Sequence, residues 1–248
     1  MSLGMALVAA GHKVVGVVGR TSESAQHGAA LVGTSAFTLD DRLPASDLLV
    51  IATRDSQIGS IAATLADKEP VAGAAVHVSG LSPLDVLAPL RSIDIAVGSF
   101  HPLQTLPTPE AGAARLRGAY VAVTAEPPLL QVLQQLAEDI GAKPFPLDDD
   151  AKPLYHAAAA AAANFPLAAL SMAEDLFAEA GVPWEAARPL VEAVVANAFD
   201  LGPRAALTGP VARGDTATVA AQLRAVEVEY PAWRVGFARF VEVLAALT

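Results

Sequence analysis

The chain has 248 residues, 53% of them apolar and 17% charged, with 26 acidic against 16 basic side chains and a formal charge of −10. This length can bury a sizeable core, and the composition excludes a disordered or fibrous chain. Nothing clusters Lys or Arg into the basic face of a nucleic-acid binder, and the absence of cysteine removes disulfides, thiolate metal sites and cysteine nucleophiles, which makes a cytoplasmic setting the default.

Much of the mean hydropathy of +0.43 comes from alanine, a weakly apolar residue, so it does not argue for a membrane. The apolar start Met1–Ala10 has no basic flank, and its pattern runs on through Val14–Val18 without a cleavage site, unlike a signal peptide. The uncharged stretch Ala157–Ala173 is shorter than a bilayer span and is interrupted by Asn164 and Pro166, which reads as a buried helix.

In chain order, Ser2–Ala10 reads as a helix closed by Gly11, and Lys13–Val18 as a strand. Thr21–Leu31 reads as a helix capped by Thr21 or Ser22. Asp47–Thr53 is a continuous apolar run of the kind buried on both faces of a parallel sheet. The spacing predicts helices over Ser56–Ala66, Ser82–Leu90 and Pro127–Ile140, and strands over Ala74–Ser79, Ile93–Gly98, Ala119–Thr124 and Lys143–Leu147. Such alternation implies an α/β Rossmann-like doubly wound sheet. After Asp148–Asp150 no strand is predicted. A long helix from about Ala151 to Ala180, kinked at Pro166, precedes a helix opened by Pro183, a break at Leu207–Asp215, and helices over Thr216–Val226 and Pro231–Leu247. The expected domains are residues 1–147 and an all-α C-terminal domain, 148–248.

Candidate site residues lie where the predicted strands end. In a dinucleotide-binding fold the second strand ends beside the adenosine ribose, where an acidic residue suits NAD and Arg suits the 2′-phosphate of NADP. Arg20 stands there, with Thr21 and Ser22 as further donors, which favours NADP while leaving NAD possible; Arg20 could also be an ordinary surface residue. The first strand and its glycine turn, expected before the opening helix, are missing from the sequence. The expectation is therefore a chain that lacks its true N-terminus, with the neighbours of the missing strand flanking a gap; the rival reading is a genuinely short protein without cofactor.

Ala52, Thr53 and Arg54 follow the next strand and could line the nucleotide, while Asp55 starts a helix. In His77-Val78-Ser79-Gly80, His77 reads as a core histidine, and Ser79 as either a turn residue or a donor to nicotinamide or substrate. Phe100–Pro109 reads as a rigid proline-rich loop carrying His101, Gln104 and Thr105, in which His101 either ties the loop to the sheet or acts on a ligand.

His156 and Asn164 are eight residues apart on one broad helical face in an Ala-rich surround. They could move a proton and orient a carbonyl or hydroxyl, or be a buried, satisfied pair. Thr208-Gly209-Pro210 and Arg213-Gly214-Asp215 form either a hinge with Asp215 as helix cap or an anion-binding loop clamped by Arg213. No Walker loop, nucleophile elbow or metal cluster is present.

With HVSG at His77–Gly80, FHPLQTLP at Phe100–Pro107, AGAARLRG at Ala111–Gly118, LYHAAAAAAANF at Leu154–Phe165 and LTGPVARGD at Leu207–Asp215, essentially the whole chain resembles a bacterial family. Its members join a Rossmann-like half to a helical domain of unknown function (number 2520), within the superfamily of 6-phosphogluconate dehydrogenase, pyrroline-carboxylate reductases and hydroxyacid dehydrogenases. The resemblance implies NAD(P) at the N-terminal half, a small-molecule substrate between the domains and a homodimer through the helical domain. The sequence departs from the Lys-x-x-x-Asn pair of hydroxyacid dehydrogenases, since Ala160 follows His156 where Asn would stand.

Two functional readings follow. One is an NADP-dependent oxidoreductase for a small anionic metabolite, with His156, Asn164, Ser79 and His101 as catalytic candidates and Gln104, Thr208 and Arg213 as substrate contacts. The other is a non-catalytic nucleotide-sensing or scaffold dimer that keeps the fold.

Overall fold

A computed structural model describes residues 1–248. The chain divides into two compact units, Met1–Ala161 and Ala162–Thr248.

The first unit opens with α1 (Ser2–Ala9) and the short strand β1 (Val17–Gly19). Next come α2 (Ser22–Val32) and β2 (Ala36–Thr38), a strand too short to carry a visible pattern and absent from the sequence expectations. β3 (Ser46–Ile51), α3 (Asp55–Asp67) and β4 (Ala72–His77) are followed by a 3₁₀ turn, Leu84–Leu87, and the single-turn α4 (Ala88–Arg91), where one continuous helix was expected. The unit continues through β5 (Ala96–Leu103), α5 (Pro109–Leu116), β6 (Tyr120–Ala125), α6 (Leu129–Asp139) and β7 (Lys143–Pro146).

The sheet is split. β1 pairs only with β2, in parallel, while β3-β4-β5-β6-β7 form a five-stranded sheet in sequential order. The strands are parallel except that β6 runs antiparallel to β5. In a doubly wound order one strand would separate β1 from β3. Here neither pairs on that side, and Val18 and Val50 are exposed. The two sheets are not joined by strand pairing.

β4 explains why the five-stranded sheet is buried on both faces. Successive side chains alternate across the pleat. Ala74 and Val76 enter a core with Phe100, Leu116, Val121, Leu133 and Ala137, whereas Ala75 enters a second core with Ile58, Ala62, Leu65, Leu87 and Leu90. α6 supplies the first core because Leu129, Leu133 and Ala137 recur every four residues.

β5 is longer than the sequence suggested. Phe100–Leu103 were expected in a loop but extend the strand, and the loop begins at Gln104. β4 pairs with β5 only as far as His77–Ser99, so beyond Ser99 the strand has one neighbour, β6. Pro102 lacks an N–H, and a strand with one free side tolerates that. The pleat then places Val97, Ser99 and His101 on the face that carries His77.

α7 (Lys152–Glu179) runs without a break through Pro166 from the first unit into the second. The unit boundary falls inside this helix, later than the change of pattern near Leu147, because side chains of its first turns are tied to the first unit. The second unit continues with α8 (Ala187–Leu201), the one-turn helices α9 (Pro203–Ala206) and α10 (Gly209–Ala212), α11 (Thr216–Glu229) and α12 (Arg234–Ala245). Gly181 closes α7 at φ 70°, and Asp215 caps α11 by accepting from the Thr218 amide at 3.0 Å. No helix is long and apolar enough to cross a membrane.

Gly19 joins β1 to α2 at close range: a Cβ there would collide with the backbone N of Ala25. Gly19→Ala is expected to destabilise the protein by about 1–3 kcal/mol through forced backbone movement, read as a lower urea midpoint with an unchanged slope. Gly59→Ala serves as the control, since the nearest atom to its Cβ is 3.7 Å away.

Candidate functional site

The site residues of the first unit lie at or near the ends of its strands. Arg20 follows β1 directly and is exposed, with no side-chain partner. Thr21 caps α2: its Oγ1 accepts from the Ser24 amide at 3.2 Å, and Ser24 Oγ accepts from the Thr21 amide at 3.1 Å. The Thr21 hydroxyl is thus engaged by the cap, and Ser22 is exposed as the first residue of α2. Ala52, Thr53 and Arg54 are exposed beyond β3, and Arg54 is the N-cap position of α3.

Beyond β4 the chain makes a buried polar hub. Ser79 Oγ donates to Asp55 Oδ2 at 2.7 Å and accepts from the amides of Leu81 and Ser82 at 3.1 and 2.9 Å. Its hydrogen-bonding capacity is filled by the turn it builds, and the side chain is buried. His77, fully enclosed, accepts the Ser79 amide on Nδ1 at 3.2 Å, which puts its ring proton on Nε2, where no protein group receives it. Burial, reinforced by the Lys152 ammonium, pushes His77 down to about 4, so it is neutral near pH 7.

Lys152 closes the hub. It is 1% exposed, yet its Nζ reaches Asp149 Oδ1 at 2.7 Å and the Ser82 carbonyl at 3.0 Å. Asp149 in turn accepts the Leu84 amide on Oδ2 at 2.9 Å. Burial pulls the lysine below its usual value, and the Asp149 contact opposes that pull. The first turn of α7 is thereby clamped to the segment leaving β4.

The clamp sets the next turn of α7 against β5. Tyr155 meets His101 edge-to-face at a ring separation of 5.5 Å, with its Oη 2.7 Å from Nδ1. Phe145 also packs edge-to-face against Tyr155, at a ring separation of 6.0 Å. Gly80 makes room for the imidazole: a Cβ there would sit 2.7 Å from Cε1 and 2.8 Å from Nε2 of His101. Burial, followed by the neighbouring His156, pushes His101 down to about 4, and burial pushes Tyr155 up to about 12.

His156 is half-buried and Asn164 is exposed, and neither side chain has a hydrogen-bond partner. His156 lies in the first unit and Asn164 in the second. Gln104 Oε1 accepts the Thr105 amide at 2.8 Å, and Arg115 reaches the Thr105 hydroxyl at 3.2 Å, so this loop is braced by its own side chains. Thr208 and Arg213, in the second unit, are exposed and unpartnered. No group of His, Asp and Glu side chains could hold a metal ion.

Sequence reasoning singled out His101, His77 and Ser79 but missed Lys152, Tyr155 and Asp149. The available signal was the polar Lys152 and Tyr155 just ahead of an otherwise apolar helix, three residues apart and so on one face.

Residues 1–102 match the model of a Rossmann-like domain, and residues 119–238 match that of the domain of unknown function DUF2520. No curated protein is similar enough in sequence to indicate kinship. Among solved structures, the chain resembles a Bacteroides fragilis protein named as a candidate NADP oxidoreductase, at 22% identity and a TM-score of 0.83, covering 99% of this chain and 93% of that one. A Thermotoga maritima protein, TM1727, follows at 21% identity and 0.75, covering 100% and 95%. Prephenate dehydrogenase from A. aeolicus, solved with hydroxyphenyl propionate and NAD+, gives 15% identity and 0.57, covering 98% and 92%. These likenesses show a shared fold.

The neutral, buried histidines have a consequence for acid stability. Their folded pKa values near 4 lie below the ordinary 6.5, so the unfolded chain binds more protons between those values. Stability is full above about pH 6.5 and is lost as pH falls toward 4. Urea midpoints are expected to drop across that window, and His77→Gln is expected to flatten the drop. An equally steep profile in the variant would remove His77 from this account.

Proposed function

We propose that this chain, a Rossmann-like domain joined to a DUF2520 domain, is an NADP-dependent oxidoreductase acting on a small anionic metabolite. The carrying observation is positional. Thr53 with Arg54, and Gly80, stand beyond the C-terminal ends of β3 and β4, and His101 stands in β5 beyond its last pairing with β4, the edge at which open α/β sheets take their ligands, while Arg20 directly follows β1.

The residues at the strand ends fit the adenosine end of the cofactor. Arg20, exposed and unpaired, offers a guanidinium for the 2′-phosphate, and Thr53 and Arg54 offer donors to the nucleotide. When bound, the nicotinamide supplies or accepts hydride. The chain's own groups do the rest. His101 offers a ring nitrogen at the strand ends, and His156 is the acid/base candidate because its imidazole is unengaged and partly accessible. Gln104, in the same unit, is the candidate to orient a polar substrate group. Ser79 contributes by shaping the turn that brings Gly80 under His101.

The second unit supports a homodimer. Only Met172, Ala187 and Val226 are buried apolar residues there, while Phe199 is 86% exposed and Leu190, Val194, Leu201 and Val235 each more than half exposed. Exposed apolar surface on this scale marks an interaction face, and a second copy of the chain supplies a matching apolar face.

Two measurements test the reading. NADPH fluorescence is expected to change on binding with micromolar affinity, and Arg20→Ala to weaken NADPH by roughly tenfold or more while leaving NADH unchanged. Equal losses for both cofactors would deny Arg20 its phosphate. Sedimentation is expected to give a dimer that Phe199→Glu converts to monomer, and a wild-type monomer would remove the dimer from the proposal.

A further inference from the structure

We propose that Tyr155 fixes the ring tautomer of His101, so that the protein presents a neutral Nε2–H donor for a carbonyl oxygen of its ligand at the C-terminal end of β5. The inference deepens the oxidoreductase reading and rests on it only for which ligand carries that oxygen.

The geometry sets the direction of the hydrogen bond. Tyr155 Oη lies 2.7 Å from His101 Nδ1 and has no other partner. If Nδ1 carried the ring proton and donated it, the half-buried tyrosyl hydrogen would have no protein acceptor and would be left to solvent. If Tyr155 donates instead, one bond satisfies both its hydrogen and the Nδ1 lone pair, and the ring proton resides on Nε2.

That nitrogen is the one left available. His77 Nε2 is sealed in the core, whereas His101 Nε2 has no protein partner and is not enclosed. The imidazole is locked on three sides, by the Tyr155 edge, by the backbone of Gly80, and by its own position in β5, where His101 pairs with Ala122. A fixed donor costs little reorganisation when an acceptor arrives.

The electrostatics agree with a ring that stays neutral. His156 and Lys152 disfavour its charged form, Asp55 favours it, and burial outweighs them all. The phenol is likewise held protonated by burial. A neutral ring with a fixed N–H polarises a carbonyl without carrying a full charge. The ligand class is therefore a carbonyl: a ketone or aldehyde of the substrate, or the carboxamide of nicotinamide.

Long-range nitrogen–proton spectra of isotope-labelled protein near neutral pH read the tautomer directly. His101 is expected in the Nε2–H form, and Tyr155→Phe, which keeps the ring against Phe145, is expected to lose that preference and show the Nδ1–H form as well. NADP+, pyruvate and acetamide are then titrated separately. A shift of the His101 Nε2 resonance with NADP+ assigns the donor to the cofactor carboxamide, and one with pyruvate assigns it to a substrate carbonyl. A wild-type Nδ1–H ring, an unchanged tautomer in Tyr155→Phe, or no Nε2 shift with any probe would overturn the proposal. Failure of the oxidoreductase reading looks different: no NADPH binding by fluorescence, with the tautomer preference and its dependence on Tyr155 intact.

Discussion

The candidate site depends on one buried cation. Lys152 carries its ammonium into the first unit, where Asp149 neutralises it and the Ser82 carbonyl takes a further hydrogen. Removing a charge from water costs several kcal/mol, so such a lysine persists only where its partners are fixed. Those partners lie on the chain leaving β4 and just ahead of α7. Satisfying the cation therefore holds the start of α7 to the end of β4, and Tyr155, one turn on, meets His101 as a result. The polar hub of His77, Ser79 and Asp55 beside it serves the same end: it shapes a turn whose Gly80 is small enough to receive the imidazole.

The parallel sheet does the coarser positioning. β3, β4 and β5 run parallel and deliver their C-terminal residues to the same end, so Thr53, Gly80 and His101, far apart in sequence, lie toward one edge of the sheet. The interruption between β1 and β3 leaves this logic intact, because Arg20 is placed by β1 and the cap of α2, and Thr53 and Arg54 by β3 and the start of α3.

Much of this was legible in the sequence, for reasons that can be named. The apolar run at Asp47–Thr53 and the four-residue recurrence on α6 announced buried elements, and Thr21 and Asp215 announced helix starts, because these signals are local. What failed to show was non-local or too short. β2 has three residues, and α5 buries only Gly112 and Leu116. The prolines of Phe100–Pro109 suggested a loop, because nothing in the sequence says that β5 outruns β4 and leaves Pro102 unopposed on one side. Lys152 drew no reading from the sequence, since its carbonyl acceptor is Ser82, far back along the chain. Ser79, equally open to a structural or a chemical role on paper, turned out to have its hydroxyl fully engaged.

The claim that the Lys152 clamp holds the site together is tested most directly by amide hydrogen exchange on Lys152→Met, which keeps the apolar stem and removes the charge. If the clamp is what holds the two segments, the amides of Ser82, Leu84 and His156 lose protection together, with an opening free energy lower by about 3 kcal/mol. Unchanged protection at all three amides in a folded Lys152→Met protein would contradict it.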